Sequence, residues 1–177
     1  MARNTEIKAR VDDPATLEAR ARAIAGRGPE LLLQDDTFFH CAHGRLKLRE
    51  FGDGSAELIA YERPDATGPK TSRYIVTPVP EPAAMREALV RSNGLRGRVR
   101  KQRTLYLVGA TRVHLDHVEG LGHFMELEVV LRPDQHEEEG LAIARSLMQQ
   151  LGIPASALVA GAYIDLIEQT PQPEGHP

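Results

Sequence analysis

The sequence predicts an α+β fold: about eight strands in an antiparallel sheet that is closed or nearly closed into a β-barrel, with helices packed outside it. About eight segments alternate in polarity with a period of two residues, as strands do. Most follow one another through short connections, which favours antiparallel neighbours. Five carry charged residues on one face and apolar residues on the other. Helices on the outside of a barrel need an apolar wall, so we expect the charged faces to point inward.

The N-terminal half reads mainly as strands. "NTEIKARV" (4–11) alternates cleanly, and "DDPATLEARARAIAG" (12–26) is a helix with Asp13 as its N-cap. "PELLLQDDTFFHCA" (29–42) is one or two extended segments. A hairpin follows, in which "RLKLREF" and "SAELIAYERP" flank the turn "GDG".

The rest of the chain contains three of the four predicted helices. "RYIVTPV" (73–79) is a strand, and "PEPAAMREALVRSNG" (80–94) is a helix. Three further strands form a meander, in "GRVRKQRTLYLV", "ATRVHLDHVEG" and "HFMELEVVLR". "DQHEEEGLAIARSLMQQLG" (134–152) is the strongest helix, and a short helix lies near "ALVAGAYIDLIEQ" (157–169).

Composition is typical of one soluble globular domain, with 41% hydrophobic and 27% charged residues in a chain of 177. We assign residues 1–168 to this domain and expect 169–177 to be a disordered tail. There is no apolar run long enough for a membrane span, no apolar signal region, and one cysteine, so we expect a cytoplasmic protein. The 22 basic and 25 acidic residues, with no Trp, argue against nucleic acid as a partner.

The signs of the charged faces indicate a ligand. Glu126 and Glu128 share one strand face, and Arg45, Lys47 and Arg49 share another. Like charges side by side repel, so each group needs a compensating partner. Basic side chains bind phosphate oxygens, and carboxylates bind Mg²⁺ or Mn²⁺, which bridges to phosphate. A polyphosphate with Mg²⁺ or Mn²⁺ would satisfy both walls of the tunnel.

Four stretches in order resemble the CYTH superfamily, the triphosphate tunnel metalloenzymes: "NTEIKARV", "GRLKLREFGDG", "AYERPDATGPKTSRY" and "KQRTLYLVGATRVHLDHVEGLGHFMELEVVL". That superfamily includes class IV adenylate cyclases, thiamine triphosphatases and inorganic triphosphatases. The resemblance extends to about residue 168. It implies an eight-stranded tunnel that holds a triphosphate and one or two divalent cations.

Position by position, the resemblance implies roles for individual side chains. The implied metal ligands are Glu6, Glu126 and Glu128, and the implied catalytic residues are Lys8 and Asp116. The expected triphosphate-binding residues are Lys8, Lys47, Arg49, Arg63, Arg73, Lys101, Arg103 and Arg112. His114 shares the inward face of Arg112 and is a further candidate for contact with phosphate.

Two positions depart from the family pattern. Asn4 stands where the family has a glutamate, which weakens any second metal site. Glu62 stands where several relatives have a phosphate-binding lysine, and Arg63, Lys70 or Arg73 is expected to supply that charge instead. The strand phase at this point stays open.

Three functions remain open at this stage. The first is a class IV adenylate cyclase, which converts ATP to cyclic AMP and pyrophosphate. The second is a hydrolase of thiamine triphosphate, inorganic tripolyphosphate or a nucleoside triphosphate. The third is a non-catalytic protein that binds nucleotide or polyphosphate, favoured by Asn4 and Glu62. The expected partner is a small-molecule triphosphate, with no membrane or nucleic acid, and a homodimer is left open.

Overall fold

The structure, a computed structural model, describes residues 2–170. Its strands are β1 (Ala2–Arg10), β2 (Arg27–Phe39), β3 (Arg45–Phe51), β4 (Ala56–Glu62), β5 (Lys70–Pro78), β6 (Leu95–Val108), β7 (Thr111–Val118) and β8 (Gly122–Val130). Its helices are α1 (Pro14–Ile24), α2 (Pro82–Asn93), α3 (Glu137–Leu151) and α4 (Tyr163–Gln169). All neighbouring strands pair antiparallel and close into a barrel, in the order β1-β5-β4-β3-β2-β6-β7-β8. The predicted fold class is confirmed.

Helices α1 and α3 cover an apolar part of the barrel's outer wall. Ile7 of β1 is buried in one cluster with Leu17 of α1 and Leu147 of α3. The Asp13 side chain caps α1 as expected, accepting a hydrogen bond from the Thr16 backbone N–H at 3.0 Å. Because side chains alternate along a strand, Glu6 and Lys8 of β1 face into the barrel.

The C-terminal segment 158–169 covers one end of the barrel. Its Tyr163 side chain is buried at that end, and Asp165 accepts hydrogen bonds from Arg45 and Arg96. The apolar residues packed around this segment include Phe38, Val99, Val118 and Phe124. Helix α4 therefore lies across the end of the barrel, whereas α1 and α3 lie along its side.

The last helix extends by one residue into the segment that was expected to be a disordered tail. Helix α4 continues to Gln169, the first residue of that tail. Residues 171–177, which make up most of it, lie outside the described part of the chain. Within residues 2–170, every helix is too short or too polar to cross a lipid bilayer.

Candidate functional site

The barrel surrounds a cavity whose empty volume, including the space open to solvent, is about 840 Å³. Asn4, Glu6 and Lys8 of β1 line this lumen, as do Glu126 and Glu128 of β8. Both sets lie on the face that the two-residue period predicted. The charged faces of these strands therefore point into the tunnel.

One wall of the lumen carries the two glutamates of β8, each beside a cation. Lys8 lies directly across from Glu126, and its Nζ is 3.1 Å from Glu126 Oε1. Arg103 donates to Glu126 Oε2 at 2.8 Å, and Arg112 donates to Glu128 Oε2 at 3.2 Å. We name Glu126 and Glu128, with the side chains that touch them, the acidic wall.

Both glutamates of the acidic wall are held in the ionised form. Burial alone would raise the pKa of Glu126, but Lys8 and Arg103 hold it well below its usual range. Burial acts in the same direction on Glu128, and there the Arg103 and Arg112 guanidinium groups help to hold the pKa below its usual value. Two buried carboxylates that stay ionised at neutral pH suit a hard divalent cation.

The opposite wall gathers three cations around one carboxylate. Asp36 of β2 is 1% exposed and accepts from Lys47 at 2.9 Å, from Arg49 Nε at 2.7 Å and from Lys101 at 3.0 Å. When all four groups are ionised, this wall carries two more positive charges than negative ones. We name Asp36, Lys47, Arg49 and Lys101 the basic wall.

Burial, together with the neighbouring cations, lowers the pKa values of both lysines of the basic wall. Burial, followed by Arg49, lowers the pKa of Lys47 to about 7. Burial is also the largest cause that lowers the pKa of Lys101 to about 8, although Asp36 opposes it. The pKa of Asp36 lies well below its usual value, because Arg49 and the lysines outweigh burial. A bound polyanion would complete the neutralisation of this wall.

Asp36 itself was missed by sequence reasoning. It lies in "LLLQDDTFF", where Asp35 and Asp36 are adjacent and therefore point to opposite faces. Phase alone could not identify the inward one, because Phe38 and Phe39 also occupy both faces; the structure shows that Asp36 and Phe38 line the lumen. The acid was needed because buried lysines and arginines without a carboxylate would be strongly destabilising.

The open question at Glu62 is settled by the phase of β4. Glu62 is exposed, whereas the next residue, Arg63, lines the lumen and contacts the Glu6 carboxylate and the Gly161 carbonyl. Burial raises the pKa of Glu6, with Arg63 opposing it. Glu62 therefore removes no charge from the site, and Arg63 supplies the cation expected there.

The remaining candidates from this region lie elsewhere. Ser72 and Tyr74 line the lumen, so Arg73 between them points to the outer face, where it is exposed. The structure therefore does not bring Arg73 into the lumen, where the triphosphate contact was expected. Lys70 shares the inward phase of Ser72, but its Nζ donates to the Ala66 carbonyl at 2.7 Å.

Asp116 shares the inward phase of Arg112 on β7, but its carboxylate is hydrogen-bonded to other side chains. Its two oxygens accept from Arg103 at 2.7 and 2.6 Å, and Tyr163 donates its hydroxyl to Oδ2 at 2.7 Å. Asp116 is 2% exposed and is not among the lining residues. Its expected catalytic role stays a prediction, and its contacts hold Arg103 against Glu126. Lys8 does line the lumen, with its Nζ 3.8 Å from the centre of the Tyr163 ring.

The two ends of the lumen differ. At one end Phe38, Val99 and Tyr163 are 3%, 1% and 6% exposed, beneath the C-terminal segment. At the other, Val76 is 43% exposed and the Arg112 side chain 40% exposed. A ligand would therefore enter beside Val76 and Arg112.

The donors of the acidic wall fit a divalent metal ion. Glu126 and Glu128 are ionised and close together, as hard cations require. Asn4 lines the same region, and its Oδ1 is buried without a hydrogen-bond partner. An amide oxygen can bind a metal or a metal-bound water, but it contributes no charge. Glu6 is already compensated by Arg63.

Comparison with known proteins agrees with this geometry. The profile of the CYTH domain matches residues 2–163. Adenylate cyclase CyaB of Aeromonas hydrophila is 27% identical over 182 residues, covering 93% of this chain and 88% of that protein.

Solved structures share the fold. A protein of Pyrococcus horikoshii OT3 superposes with a TM-score of 0.83 at 22% identity, covering 92% of this chain and 98% of its own. HpAC1 of Hippeastrum, described as having a dominant triphosphatase activity, superposes with a TM-score of 0.67 at 18% identity, covering 98% and 99%. At these identities the structures establish the fold alone.

Proposed function

Because the chain belongs to the CYTH domain family, we propose that it is a metal-dependent enzyme that binds ATP in the lumen and forms cyclic AMP and pyrophosphate. The observation that carries this proposal is the pairing of two walls across one cavity: ionised Glu126 and Glu128 face a cluster of excess positive charge around Asp36. This arrangement is complementary to a triphosphate bound through a divalent cation.

The basic wall would bind the phosphate chain. Lys47, Arg49 and Lys101 donate to phosphate oxygens in addition to Asp36, and the guanidinium of Arg49 offers a planar fork. In the proposed reaction the ribose 3′ hydroxyl loses its proton to solvent and its oxygen attacks the α-phosphorus. The bond from that phosphorus to the β-phosphate oxygen breaks, and the leaving pyrophosphate accumulates negative charge. Cations fixed in advance along that path stabilise this charge.

The acidic wall would hold the metal through Glu126 and Glu128, with Glu6 and the Asn4 oxygen nearby. A bound Mg²⁺ or Mn²⁺ supplies Lewis-acid stabilisation of the phosphoryl oxygens. Arg103, fixed by Asp116, keeps Glu126 in place from the other side. The rigidity of these contacts preorganises the wall.

The open end favours a substrate with an organic group. Tyr74 and Val76 of β5 line this part of the lumen, and Val76 is 43% exposed. Apolar and aromatic side chains there could cover a nucleoside, while the phosphates extend inward. This feature, together with the similarity to the Aeromonas adenylate cyclase, supports our proposal of ATP cyclisation over hydrolysis.

Triphosphate hydrolysis is the second candidate, because the two charged walls recognise only the phosphates and the metal. In that reaction water attacks the terminal phosphorus, and the lumen does not need to bind a nucleobase. The non-catalytic alternative has lost one of its two supports, since Glu62 faces outward, and it now depends on Asn4 alone.

Product analysis tests the proposal. The protein is incubated with ATP, thiamine triphosphate and tripolyphosphate, each with Mg²⁺ and with Mn²⁺. Cyclic AMP and pyrophosphate in equal amounts support the cyclase, whereas orthophosphate supports the hydrolase. Binding of all three compounds without turnover would refute catalysis. Arg73→Ala serves as a control because its side chain is outside the lumen.

A further inference from the structure

His114 of β7 lies between the two glutamates of the acidic wall. It is 4% exposed and pairs directly across from Glu126 in the β7–β8 ladder. Its Nδ1 is 3.9 Å from Glu126 Oε2 and 3.8 Å from Glu128 Oε1. This Nδ1 has no hydrogen-bond partner. A buried polar atom without a partner is destabilising unless a ligand satisfies it.

These separations suit a shared cation better than a direct contact. They exceed the 3.5 Å limit of a hydrogen bond, so the imidazole does not simply bridge the carboxylates. Two ligand atoms bound at about 2.1 Å to one ion lie about 3.0 Å apart at right angles and about 4.2 Å apart when opposite. Both measured separations fall between these limits, and one atom from each of the three residues lies within 4.8 Å of the others.

The other role considered for His114 is contact with phosphate. Its free nitrogen is directed towards Glu126 and Glu128, both ionised. Two carboxylates at this distance repel a phosphate oxygen. A cation is therefore the ligand that this nitrogen and its two neighbours would share.

We propose that His114 Nδ1 is a third protein ligand of the cation held by Glu126 and Glu128, and that it selects a first-row transition metal over Mg²⁺. Imidazole nitrogen binds Co²⁺, Zn²⁺ and related ions better than it binds Mg²⁺, which prefers oxygen ligands. The inference rests on the proposed function and narrows the class of metal that serves it.

Direct metal binding tests the inference without turnover. Co²⁺ affinity is measured by visible absorption, Mn²⁺ affinity by electron paramagnetic resonance, and Mg²⁺ by competition, all without substrate. We expect His114→Ala to weaken Co²⁺ binding at least about tenfold, comparable to the loss of a supporting residue at a metal site. Mg²⁺ binding should change by less than about threefold, because oxygen ligands dominate its affinity.

Two further variants separate a ligand from a structural residue. His114→Asp replaces nitrogen by oxygen, so it should bind Mg²⁺ at least as well as the wild type and lower the ratio of Co²⁺ to Mg²⁺ affinity. His117→Ala is the matched control: that imidazole lies on the same strand but is exposed and stacks on His123 at 4.6 Å. It should leave all three affinities unchanged.

The outcomes separate this inference from the proposed function. Unchanged Co²⁺ affinity and absorption in His114→Ala, with turnover intact in the wild type, would overturn the ligand assignment alone. An unchanged ratio of Co²⁺ to Mg²⁺ affinity in folded His114→Asp would do the same, even if His114→Ala failed to fold. A wild type that turns over ATP equally well after complete metal removal would overturn metal dependence itself.

Discussion

Asp36→Asn tests whether the basic wall is held together by a single carboxylate. Asparagine keeps the shape and one acceptor oxygen but leaves Lys47, Arg49 and Lys101 without a negative partner. Removing one member of a buried ion pair is destabilising by about 3–5 kcal/mol. The lower part of that range applies here, because Lys47 and Lys101 have pKa values of about 7 and about 8 and can release protons in response.

The destabilisation caused by Asp36→Asn can be measured as a fall in melting temperature. For a domain of this length, 1 kcal/mol corresponds to about 2–4 °C, so we expect a fall of about 6–12 °C at pH 7. Because an anion replaces the lost charge, saturating tripolyphosphate should stabilise Asp36→Asn more than it stabilises the wild type. Differential scanning calorimetry with and without tripolyphosphate measures both quantities.

Asp35→Asn is the matched control. Asp35 lies on the outer face and pairs with Arg98 and Arg100, whose side chains are 49% and 52% exposed. Exposed pairs contribute about 0–1 kcal/mol, so this change should lower the melting temperature by less than about 4 °C. An equal or larger fall for Asp35→Asn, or no extra stabilisation of Asp36→Asn by tripolyphosphate, would refute the assignment of inward and outward faces.

Three further predictions concern the lumen. Glu128→Gln should abolish metal-dependent turnover with the fold intact, because Gln keeps the size but lacks the charge that a divalent cation requires; activity titrated with Mn²⁺ and circular dichroism check this. Triphosphate affinity should fall as the pH rises through 7, because Lys47 loses its proton there, and calorimetric titration at pH 6 to 9 should show a shallower fall in Lys47→Arg. Arg63→Ala should weaken triphosphate binding at least about tenfold, since charge-assisted contacts contribute about 1.5–3 kcal/mol, whereas Arg73→Ala should leave it unchanged.

Each of these has an outcome that contradicts it. Full activity of Glu128→Gln at every Mn²⁺ concentration would remove that side chain from the metal site. For the pH series, the sign follows from protonation: bound anion favours charged Lys47, so affinity that rises above pH 7 would exclude the lysine as a phosphate contact. Equal losses in Arg63→Ala and Arg73→Ala would show that the phase of the β4–β5 region is misplaced.

Alternation along single strands was enough to predict the barrel and many of the side chains that line its lumen. It identified the inward faces of β1 and β8, because Glu6 and Lys8 alternate with apolar neighbours, and so do Glu126 and Glu128. It could not choose between Asp35 and Asp36, since neighbouring acids occupy both faces of β2. Without knowing which strand pairs with β2, the sequence alone does not show which face of β2 points inward.

Other parts of the site depend on contacts between distant segments. Tyr163 reaches Asp116 from 47 positions along the chain. Gly161 accepts from Arg63, which is 98 positions away. No local periodicity encodes such contacts, because they arise when the C-terminal segment packs on the closed barrel. Asp116 therefore resembled a catalytic residue in sequence, although the structure gives both of its oxygens to partners.

The C-terminal segment has a kinetic consequence. Because it covers one end of the lumen, among the described residues the mouth beside Val76 and Arg112 serves both entry and exit. A cyclase of this shape would release its products in sequence, with the less deeply held cyclic nucleotide leaving before pyrophosphate. Pyrophosphate would then compete directly with ATP for the free enzyme, and the rate at which it leaves would limit turnover once ATP is saturating.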